Sequence, residues 1–410
     1  MGLVRLTASF KLDGPTEGLE ELFSTYRDVV QELLEYAVEK NVTSFYRLKA
    51  EKYQELRAKH PELPSHYVYT ACQMAASIYR SFRKRRRRGK VRKERPEFRG
   101  SVLMLDDHLF GLDLERWEAR ISTPKGRLAF RLMHGPYHER FKRGRVGQAW
   151  VVRRGPEYYL KVVFRFEVEL REPDGRVLGV DVNENNVTIA WDGGAERVRT
   201  GERSIRTAYF LKRRRIQSAL KTGKARRRLL AKYRRRERDR VEDLYHKIAL
   251  RIVRKALEVG ASAVVMEDLK DIRRRIRYSR AMNGRLHRWS FRRFQRILEY
   301  KAKLAGLNVV YVDPRGTSSR CPICGAELSP NGHRRLRCPE CGFEGDRDVI
   351  GALNVMGRAR EMWGASVPPE GPRVMPLAAD GGRPSPRSGA FGSNVREGQN
   401  GSPRPTSRPG

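Results

Sequence analysis

The sequence is short of acidic residues. Against 86 lysines and arginines stand only 48 aspartates and glutamates, which leaves a formal net charge of +38. A chain this basic is expected to have a polyanionic partner. Nucleic acid is favoured, because each phosphate that a cationic side chain neutralises releases condensed counterions. A ribosome-associated or merely soluble basic protein is the alternative.

Long apolar runs are also missing. No stretch approaches the roughly 18 apolar residues that read as a transmembrane helix, and no signal peptide with a cationic start and an apolar middle is present. We therefore expect a cytoplasmic protein that does not bind membranes. With 410 residues, of which 39% are hydrophobic, the chain is long enough for two or three folding units with ordinary buried cores.

Cysteines are few, and four of the five lie in two CxxC pairs. Their members are Cys321, Cys324, Cys338 and Cys341, and a glycine follows each pair. Thiolates on two tight turns supply a tetrahedral set of soft ligands, so we predict a structural Zn²⁺ site, with a dithiol redox pair as the alternative. All four ligand positions are filled by protein, so this zinc is not expected to be catalytic. The fifth cysteine, Cys72, lies in an apolar helical stretch and is expected to be buried.

The N-terminal half predicts a β domain interrupted by helices. Residues 1–12 alternate as a strand, and apolar residues then recur at three and four residues to predict helices up to about residue 88. Short alternating runs in 101–170 are typical of a small barrel or sandwich. We expect the first strand to pair with this sheet, which makes residues 15–95 a helical insertion.

The C-terminal half predicts a different unit. Three strands between residues 177 and 199 form a meander, and an arginine-rich helical segment follows over 203–257. A strand at 263–266, a helix at 289–304 and a strand at 309–312 complete an element order typical of ribonuclease H-like nucleases. From about residue 357 the sequence is rich in proline, glycine, serine and arginine, which predicts a disordered tail.

Three carboxylates, Asp181, Glu267 and Asp348, lie where such a nuclease core would need them. Phosphodiester cleavage uses hard oxygen ligands to hold a pair of divalent ions about 4 Å apart. Acidic residues at strand ends are more often solvated or capping, so the spacing alone does not decide their role.

Four short motifs strengthen this interpretation. They lie at residues 179–186 (GVDVNENN), 265–269 (VMEDL), 317–321 (TSSRC) and 346–349 (DRDV). In this order they resemble the successive signatures of the TnpB (OrfB) family, insertion-sequence proteins related to the type V CRISPR effector nucleases. The resemblance covers residues 175–356.

The resemblance implies an α/β multidomain protein. Its expected parts are a wedge-like β domain (1–14 and 96–174) with a helical recognition insert (15–95), an RNase H-like, RuvC-type nuclease core (175–316 and 345–356) and an inserted zinc ribbon (317–344), followed by the disordered tail (357–410). The layout of the N-terminal half rests on arrangement and not on motifs.

The function that the resemblance implies is RNA-guided DNA cleavage, directed by a transposon-derived guide RNA that pairs with target DNA. Asp181, Glu267 and Asp348 would be catalytic acids that hold Mg²⁺ or Mn²⁺, and the four paired cysteines would hold Zn²⁺. Asp346 is the rival of Asp348, which we prefer because it precedes the Ala-Leu-Asn run. The sequence has Ile350 and Gly351 where the family pattern has asparagine and alanine, so a catalytically silent RNA- or DNA-binding regulator stays an alternative. A transposase that joins DNA strands directly is the third possibility.

Runs of arginine are the remaining feature. The residues expected to contact nucleic acid are Arg85, Arg86, Arg87, Arg214, Arg227, Arg235 and Arg274. Solvated helix faces are the common alternative for charge runs, but their number favours a channel for a guide heteroduplex. Tyr67 and Tyr79, with neighbouring aromatics, could stack on bases, although aromatics at helical spacing are more often core.

Overall fold

A seven-stranded antiparallel sheet organises the N-terminal half. The computed structural model describes residues 1–220, 222–270 and 278–363. The strands of this sheet are β1 (Gly2–Asp13), β2 (Val102–Leu105), β3 (Phe110–Asp113), β4 (Glu118–Thr123), β5 (Gly126–Met133), β6 (Arg145–Arg154) and β7 (Glu157–Val168), in the spatial order β2-β6-β7-β1-β5-β4-β3. A 3-10 helix, Pro136–Arg143, joins β5 to β6. The first strand lies at the centre of the sheet, so its predicted pairing is confirmed.

Three helices separate β1 from β2: α1 (Glu17–Glu39), α2 (Phe45–Lys59) and α3 (Ser65–Arg87). The apolar stripe of α1 is buried at every position that the sequence periodicity predicts, from Leu19 to Ala37. Ser44 caps α2 by accepting a hydrogen bond from the backbone N–H of Arg47 at 3.5 Å. The helices pack on one another and on the sheet in a single apolar core.

The aromatic residues of α3 belong mainly to this core. Tyr67 is fully buried and donates a hydrogen bond to the carbonyl oxygen of Ser122 at 2.8 Å. Tyr79 is also buried and donates to Asn41 at 3.0 Å. Cys72 is buried between them along the helix. Base stacking by Tyr67 and Tyr79 is therefore excluded in this conformation, because their rings are not accessible.

A five-stranded sheet organises the C-terminal half. Its strands are β8 (Val177–Val182), β9 (Asn186–Trp191), β10 (Gly194–Arg199), β11 (Ala263–Glu267) and β12 (Asn308–Val312), in the order β10-β9-β8-β11-β12. The first three form an antiparallel meander, whereas β11 runs parallel to both β8 and β12. The element order predicted from the sequence is therefore present.

Helices cover both faces of this sheet. They are α4 (Glu202–Ala219), α5 (Lys224–Glu258), α6 (Arg280–Arg288), α7 (Phe291–Leu304) and α8 (Arg347–Met362). Helices α5 and α7 pack on one face, against Leu178 and Val180, while α8 packs on the other, against Val177 and Val265. Alternate residues of β8 thus meet different helices, which is why the whole strand is apolar apart from one aspartate.

Helix α8 approaches β8 so closely that one position must be glycine. A Cβ atom placed on Gly179 would lie 2.3 Å from the carbonyl oxygen of Ala352 and 2.9 Å from Met356. Side-chain carbon atoms do not tolerate such distances, and the obstructing atom is backbone. The glycine therefore sets how near α8 can lie to the strand.

The predicted start of the tail at residue 357 is wrong, because α8 continues to Met362. Ala359 is fully buried, and the Arg360 guanidinium donates to the carbonyl oxygen of Gly175 at 3.1 Å. The burial of Ala359 and the hydrogen bond of Arg360 stabilise the helix in a stretch whose composition predicts a polar tail. Residues 364–410, where the rest of the predicted tail falls, lie outside the described residues. None of the described helices has both the length and the apolarity to cross a membrane.

Candidate metal-binding acid cluster and cysteine centre

The cysteine centre lies on two tight turns. Gly325 donates its backbone N–H to the carbonyl of Cys321 at 3.0 Å, and Gly342 donates to the carbonyl of Cys338 at 3.1 Å. Both glycines have a positive φ, 77° and 73° respectively. That conformation is disfavoured for residues with a Cβ atom, so the glycine after each cysteine pair lets the chain turn back on its own sulfur ligands.

The four sulfur atoms form one cluster. All lie within 4.8 Å of one another, with 3.5 Å between Cys321 and Cys341 and 3.4 Å between Cys324 and Cys338. A tetrahedral zinc with Zn–S bonds of about 2.3 Å places its sulfurs roughly 3.8 Å apart, so this set could hold a structural metal. The short distances join one turn to the other, which favours one shared ion over two separate dithiols. The backbone N–H of Cys341 lowers the pKa of the Cys338 thiol to about 7 and favours a thiolate there, whereas, against backbone hydrogen bonds, those to neighbouring thiols raise the pKa of Cys324 and Cys341.

Three short strands carry this centre: β13 (Ser329–Pro330), β14 (Arg335–Arg337) and β15 (Glu344–Asp346). Ile350, on the first turns of α8, is fully buried in a small core with Cys321, Cys338 and Leu328. The residue that departs from the family pattern thus anchors the ribbon to the helix.

The three predicted acids come from three different elements. Asp181 lies near the carboxyl end of β8, Glu267 ends the parallel neighbour β11, and Asp348 lies in the first turn of α8. Their exposed fractions are only 6%, 9% and 6%. Because β8 and β11 are adjacent and parallel, their carboxyl ends meet at one edge of the sheet.

The acids interact electrostatically. Burial, the charge of Glu267 and the charge of Asp348 together raise the pKa of Asp181 to about 8, although Asn183 donates a hydrogen bond to Asp181 Oδ2 at 2.6 Å. Burial also raises the pKa of Glu267, against a hydrogen bond from Thr317. Buried like charges of this kind favour either protonation or a bound cation.

Asp348 is at present satisfied by other side chains. Its Oδ2 accepts a hydrogen bond from Asn186 at 3.0 Å, forms an ion pair with Arg334 and lies 3.5 Å from Nε of Arg197. Among the described residues, the four cysteines are the only set of three or more potential ligands that meet at metal-binding distances. The structure therefore brings the three acids into one neighbourhood without closing them around a single point.

Asp346 has a different task from Asp348. It is the N-cap of α8, and its Oδ1 accepts the backbone N–H of Asp348 at 2.9 Å. Burial acts to raise the pKa of Asp346, but the hydrogen bonds from Arg197 and from that N–H hold it below its usual value. Both carboxylates therefore have arginine partners, and the helix cap is what distinguishes Asp346 from Asp348.

Gly351 lies directly beside Asp181. A Cβ atom at this position would lie 3.1 Å from Asp181 Oδ2, so an alanine here requires a shift of a few tenths of an ångström. The absence of a side chain leaves room around the first acid.

Sequence reasoning assigned no role to three residues around the acid cluster: Thr317, Asn354 and Arg334. The Thr317 hydroxyl donates to Glu267 Oε1 at 2.5 Å, and Asn354 donates to the carbonyl oxygens of Thr317 and Arg320, each at 2.8 Å. Thr317 begins the TSSRC motif and Asn354 ends the Ala-Leu-Asn run, so the sequence motifs could have pointed to both residues. Arg334 had none, because its position depends on how the ribbon folds back.

The predicted nucleic-acid contacts lie at the surface wherever they are described. Arg85, Arg86 and Arg87 are exposed in the last turn of α3. Arg214 on α4, with Arg227 and Arg235 on α5, is exposed as well. Arg274 lies outside the described residues. The exposed arginines are thus distributed over three helices, α3, α4 and α5.

Comparison with known proteins shows the family of this chain. A model described as the Cas12f1-like TNB domain matches residues 291–355, and one of the uncharacterized protein MJ0013 family matches residues 22–122. A TnpB-like protein of Methanocaldococcus jannaschii is 36% identical over 195 residues, which cover 45% of this chain and 70% of the relative. The chain belongs to the TnpB family.

This TnpB family protein is also similar to the CRISPR-associated endodeoxyribonuclease Cas12f1 of Sulfoacidibacillus thermotolerans. The two are 34% identical over 113 residues, which span 27% of this chain and only 25% of Cas12f1. A solved complex of Cas12f1 with sgRNA and target DNA aligns over 86% of this chain and 99% of that one, at 15% identity and a TM-score of 0.37.

Proposed function

We propose that this protein is an insertion-sequence-encoded, RNA-guided DNA endonuclease of the TnpB type. The observation that carries the proposal is the placement of three buried acids: Asp181 and Glu267 lie at the carboxyl ends of adjacent parallel strands, and Asp348 lies on the helix packed across them. The strand order β10-β9-β8-β11-β12, with α8 packed across the sheet, supports an RNase H-like, RuvC-type core. Membership of the TnpB family agrees with it.

The acids would hold Mg²⁺ or Mn²⁺. Such ions, when bound as a pair, activate water and neutralise the leaving oxygen. Asp181 would contribute a carboxylate from β8, Glu267 one from the adjacent strand β11, and Asp348 one from α8. Helix α8 would place its first turn, which carries Asp348, against β8. The four cysteines would hold Zn²⁺ and thereby fix the ribbon on the same helix.

A guide RNA and target DNA are the proposed partners. The net charge of +38 and the exposed arginines of α3, α4 and α5 support a polyanionic partner. In the proposed layout, residues 1–14 and 96–174 form the wedge-like domain and 15–95 the recognition insert. Residues 175–316 and 345–356 form the nuclease core, and 317–344 the zinc ribbon.

The structure has one feature that favours a catalytically silent binding protein as the second candidate. Arg334 and Arg197 form ion pairs with Asp348, so the third acid already has cationic partners within the chain. The Ile350 departure does not favour this candidate, because Ile350 packs into the ribbon core.

Cleavage by the purified RNA complex decides between the two. We would co-express the protein with its flanking DNA and supply a guide-matched target whose neighbouring sequence is randomised. Mg²⁺-dependent cutting by the wild type, but not by Asp181→Ala, is the expected result, with RNA affinity unchanged in the variant. Bound RNA without cutting by the wild type would establish the silent binder. Loss of RNA binding in Asp181→Ala would refute the assigned role of Asp181.

A further inference from the structure

Thr317 makes a buried hydrogen bond to one of the proposed acids. It is 1% exposed, and its hydroxyl donates to Glu267 Oε1 at 2.5 Å, with the carbonyl oxygen of Pro314 as a second, more distant acceptor at 2.9 Å. Glu267 ends β11, whereas Thr317 lies in the loop of residues 313–320 that leads from β12 to the first cysteine turn. A charge-assisted bond of this length is among the stronger hydrogen bonds in proteins.

Helix α8 holds this loop in place. Both hydrogens of the Asn354 amide are used, one on the carbonyl of Thr317 and one on that of Arg320, each at 2.8 Å. One turn further along, the Arg358 guanidinium donates to the carbonyl oxygens of Asp313 and Arg315. Two side chains of one helix thus fasten both ends of the loop.

The same helix carries Asp348 in its first turn. One rigid element therefore sets the position of Asp348 directly and that of Glu267 through the loop. A glutamate has three rotatable side-chain bonds, so its carboxylate needs such a partner to keep one orientation. With Oε1 engaged by the hydroxyl, Oε2 accepts no hydrogen bond from the part of the chain that the structure describes and is left for another ligand.

We propose that Thr317 is a positioning residue of the acid cluster, and that Asn354 acts through it. The hydroxyl orients the Glu267 carboxylate for a divalent ion, and the amide keeps the hydroxyl in reach. This inference rests on the proposed metal-dependent function. Hydrogen-bond partners of metal ligands typically change metal affinity by about 10- to 100-fold when they are removed.

Thr317→Val and Thr317→Ser separate orientation from packing. Valine keeps the shape and loses the hydroxyl, whereas serine keeps the hydroxyl. Mn²⁺ is titrated into the purified protein–RNA complex, and binding is followed by calorimetry together with cleavage. We expect the Mn²⁺ midpoint to rise about 10- to 100-fold in Thr317→Val and to stay close to wild type in Thr317→Ser. Asn354→Asp, which lacks both donor hydrogens, should shift the midpoint in the same direction as Thr317→Val.

Controls keep the outcome interpretable. Thr70→Val removes a buried hydroxyl from α3 and should leave the Mn²⁺ midpoint unchanged. Zinc content, measured on every variant, reports that the ribbon is intact. An unchanged midpoint in Thr317→Val, or an equal loss in Thr317→Ser, would overturn the proposal.

A second measurement separates this inference from the proposed function. In metal-free thermal melts, Thr317→Val and Glu267→Met should be non-additive, since each removes the hydrogen bond between the hydroxyl and the carboxylate. Additive effects would overturn the contact itself. Non-additive melts in a protein that binds no Mn²⁺ would keep the contact, but would overturn both the metal-orienting role and the nuclease proposal.

Discussion

Arg334 of the ribbon forms an ion pair with Asp348 of α8. Arg334 has a positive φ of 65°, and its backbone carbonyl accepts the N–H of Arg347 at 2.9 Å, so the residue is fixed beside the start of the helix. Its Nε also lies 3.8 Å from Asp346. The positive charge of Arg334 therefore lies directly beside the Asp348 carboxylate.

Removal of this arginine should favour a divalent ion. We expect Arg334→Gln to lower the Mn²⁺ midpoint about fivefold, the equivalent of about 1 kcal/mol for a partly exposed ion pair. Calorimetric titration checks this. Arg335→Gln, which changes the next arginine and its contact with Glu344, is the matched control and should have no effect. A weaker Mn²⁺ affinity in Arg334→Gln would show that the arginine supports the metal instead of competing with it.

Asp181 should make the metal-free protein less stable as the pH rises. Its pKa is about 8 in the folded state, against about 4 for an ordinary aspartate. Between these values the folded chain holds a proton that the unfolded chain releases, so the free energy of unfolding falls with rising pH. Asp181→Asn should remove this part of the pH dependence.

Melting temperatures at pH 5, 6, 7 and 8, in the presence of a chelator mild enough to spare the zinc, test the prediction. The gain in stability of Asp181→Asn over wild type should grow from the lowest to the highest pH. Asp28→Asn changes an exposed carboxylate and should track the wild type throughout. A constant difference between Asp181→Asn and wild type would contradict the raised pKa.

Gly179→Ala should destabilise the C-terminal half by about 3 kcal/mol, near the upper end for overpacking, because the obstructing atom is the Ala352 carbonyl oxygen. Urea unfolding measures it. Gly357→Ala, in α8 with open space around it, should instead stabilise by about 0.5 to 1 kcal/mol through helix propensity. Equal effects of the two changes would mean that α8 does not lie as close to β8 as described.

Cys338→Ser should release the ribbon's metal and lower the melting temperature of the C-terminal half, since binding of a structural zinc is coupled to folding. The loss should extend to α8, because Ile350 of that helix is buried against Cys338 and Cys321. Elemental analysis and differential scanning calorimetry provide the measurements. Cys72→Ala, a change at a buried cysteine of α3, should keep the full zinc content. Unchanged zinc in Cys338→Ser would remove the residue from the ligand set.

Local patterns predicted much of this fold. The apolar stripe of α1, the strands around Asp181 and Glu267, and the two cysteine turns all depend on residues within a few positions of one another. The pairing of β1 with the later sheet could be predicted because a strand that precedes a helical insertion needs a partner beyond it, whereas its central place was not predicted. The prediction that the tail starts at residue 357 was wrong, because the sequence does not show that a polar residue such as Arg360 is buried.

The candidate site was only partly predictable. Asp181, Glu267 and Asp348 could be named from motifs, but their roles stay predictions. Thr317 and Arg334 gain their significance from contacts across 50 and 14 residues respectively, with partners that no periodicity connects. Such contacts depend on tertiary packing, which local propensity does not encode.

The central position of β1 also governs how the chain can fold during synthesis. The first strand leaves the ribosome long before its neighbours β5 and β7, which end at residues 133 and 168. Helices α1 to α3 emerge in between and can form early, whereas β1 can pair only after the distant strands β5 and β7 have been synthesised. A translation start only fourteen residues downstream would therefore split the sheet into β2-β6-β7 and β5-β4-β3, although it would leave every residue of both fragments intact.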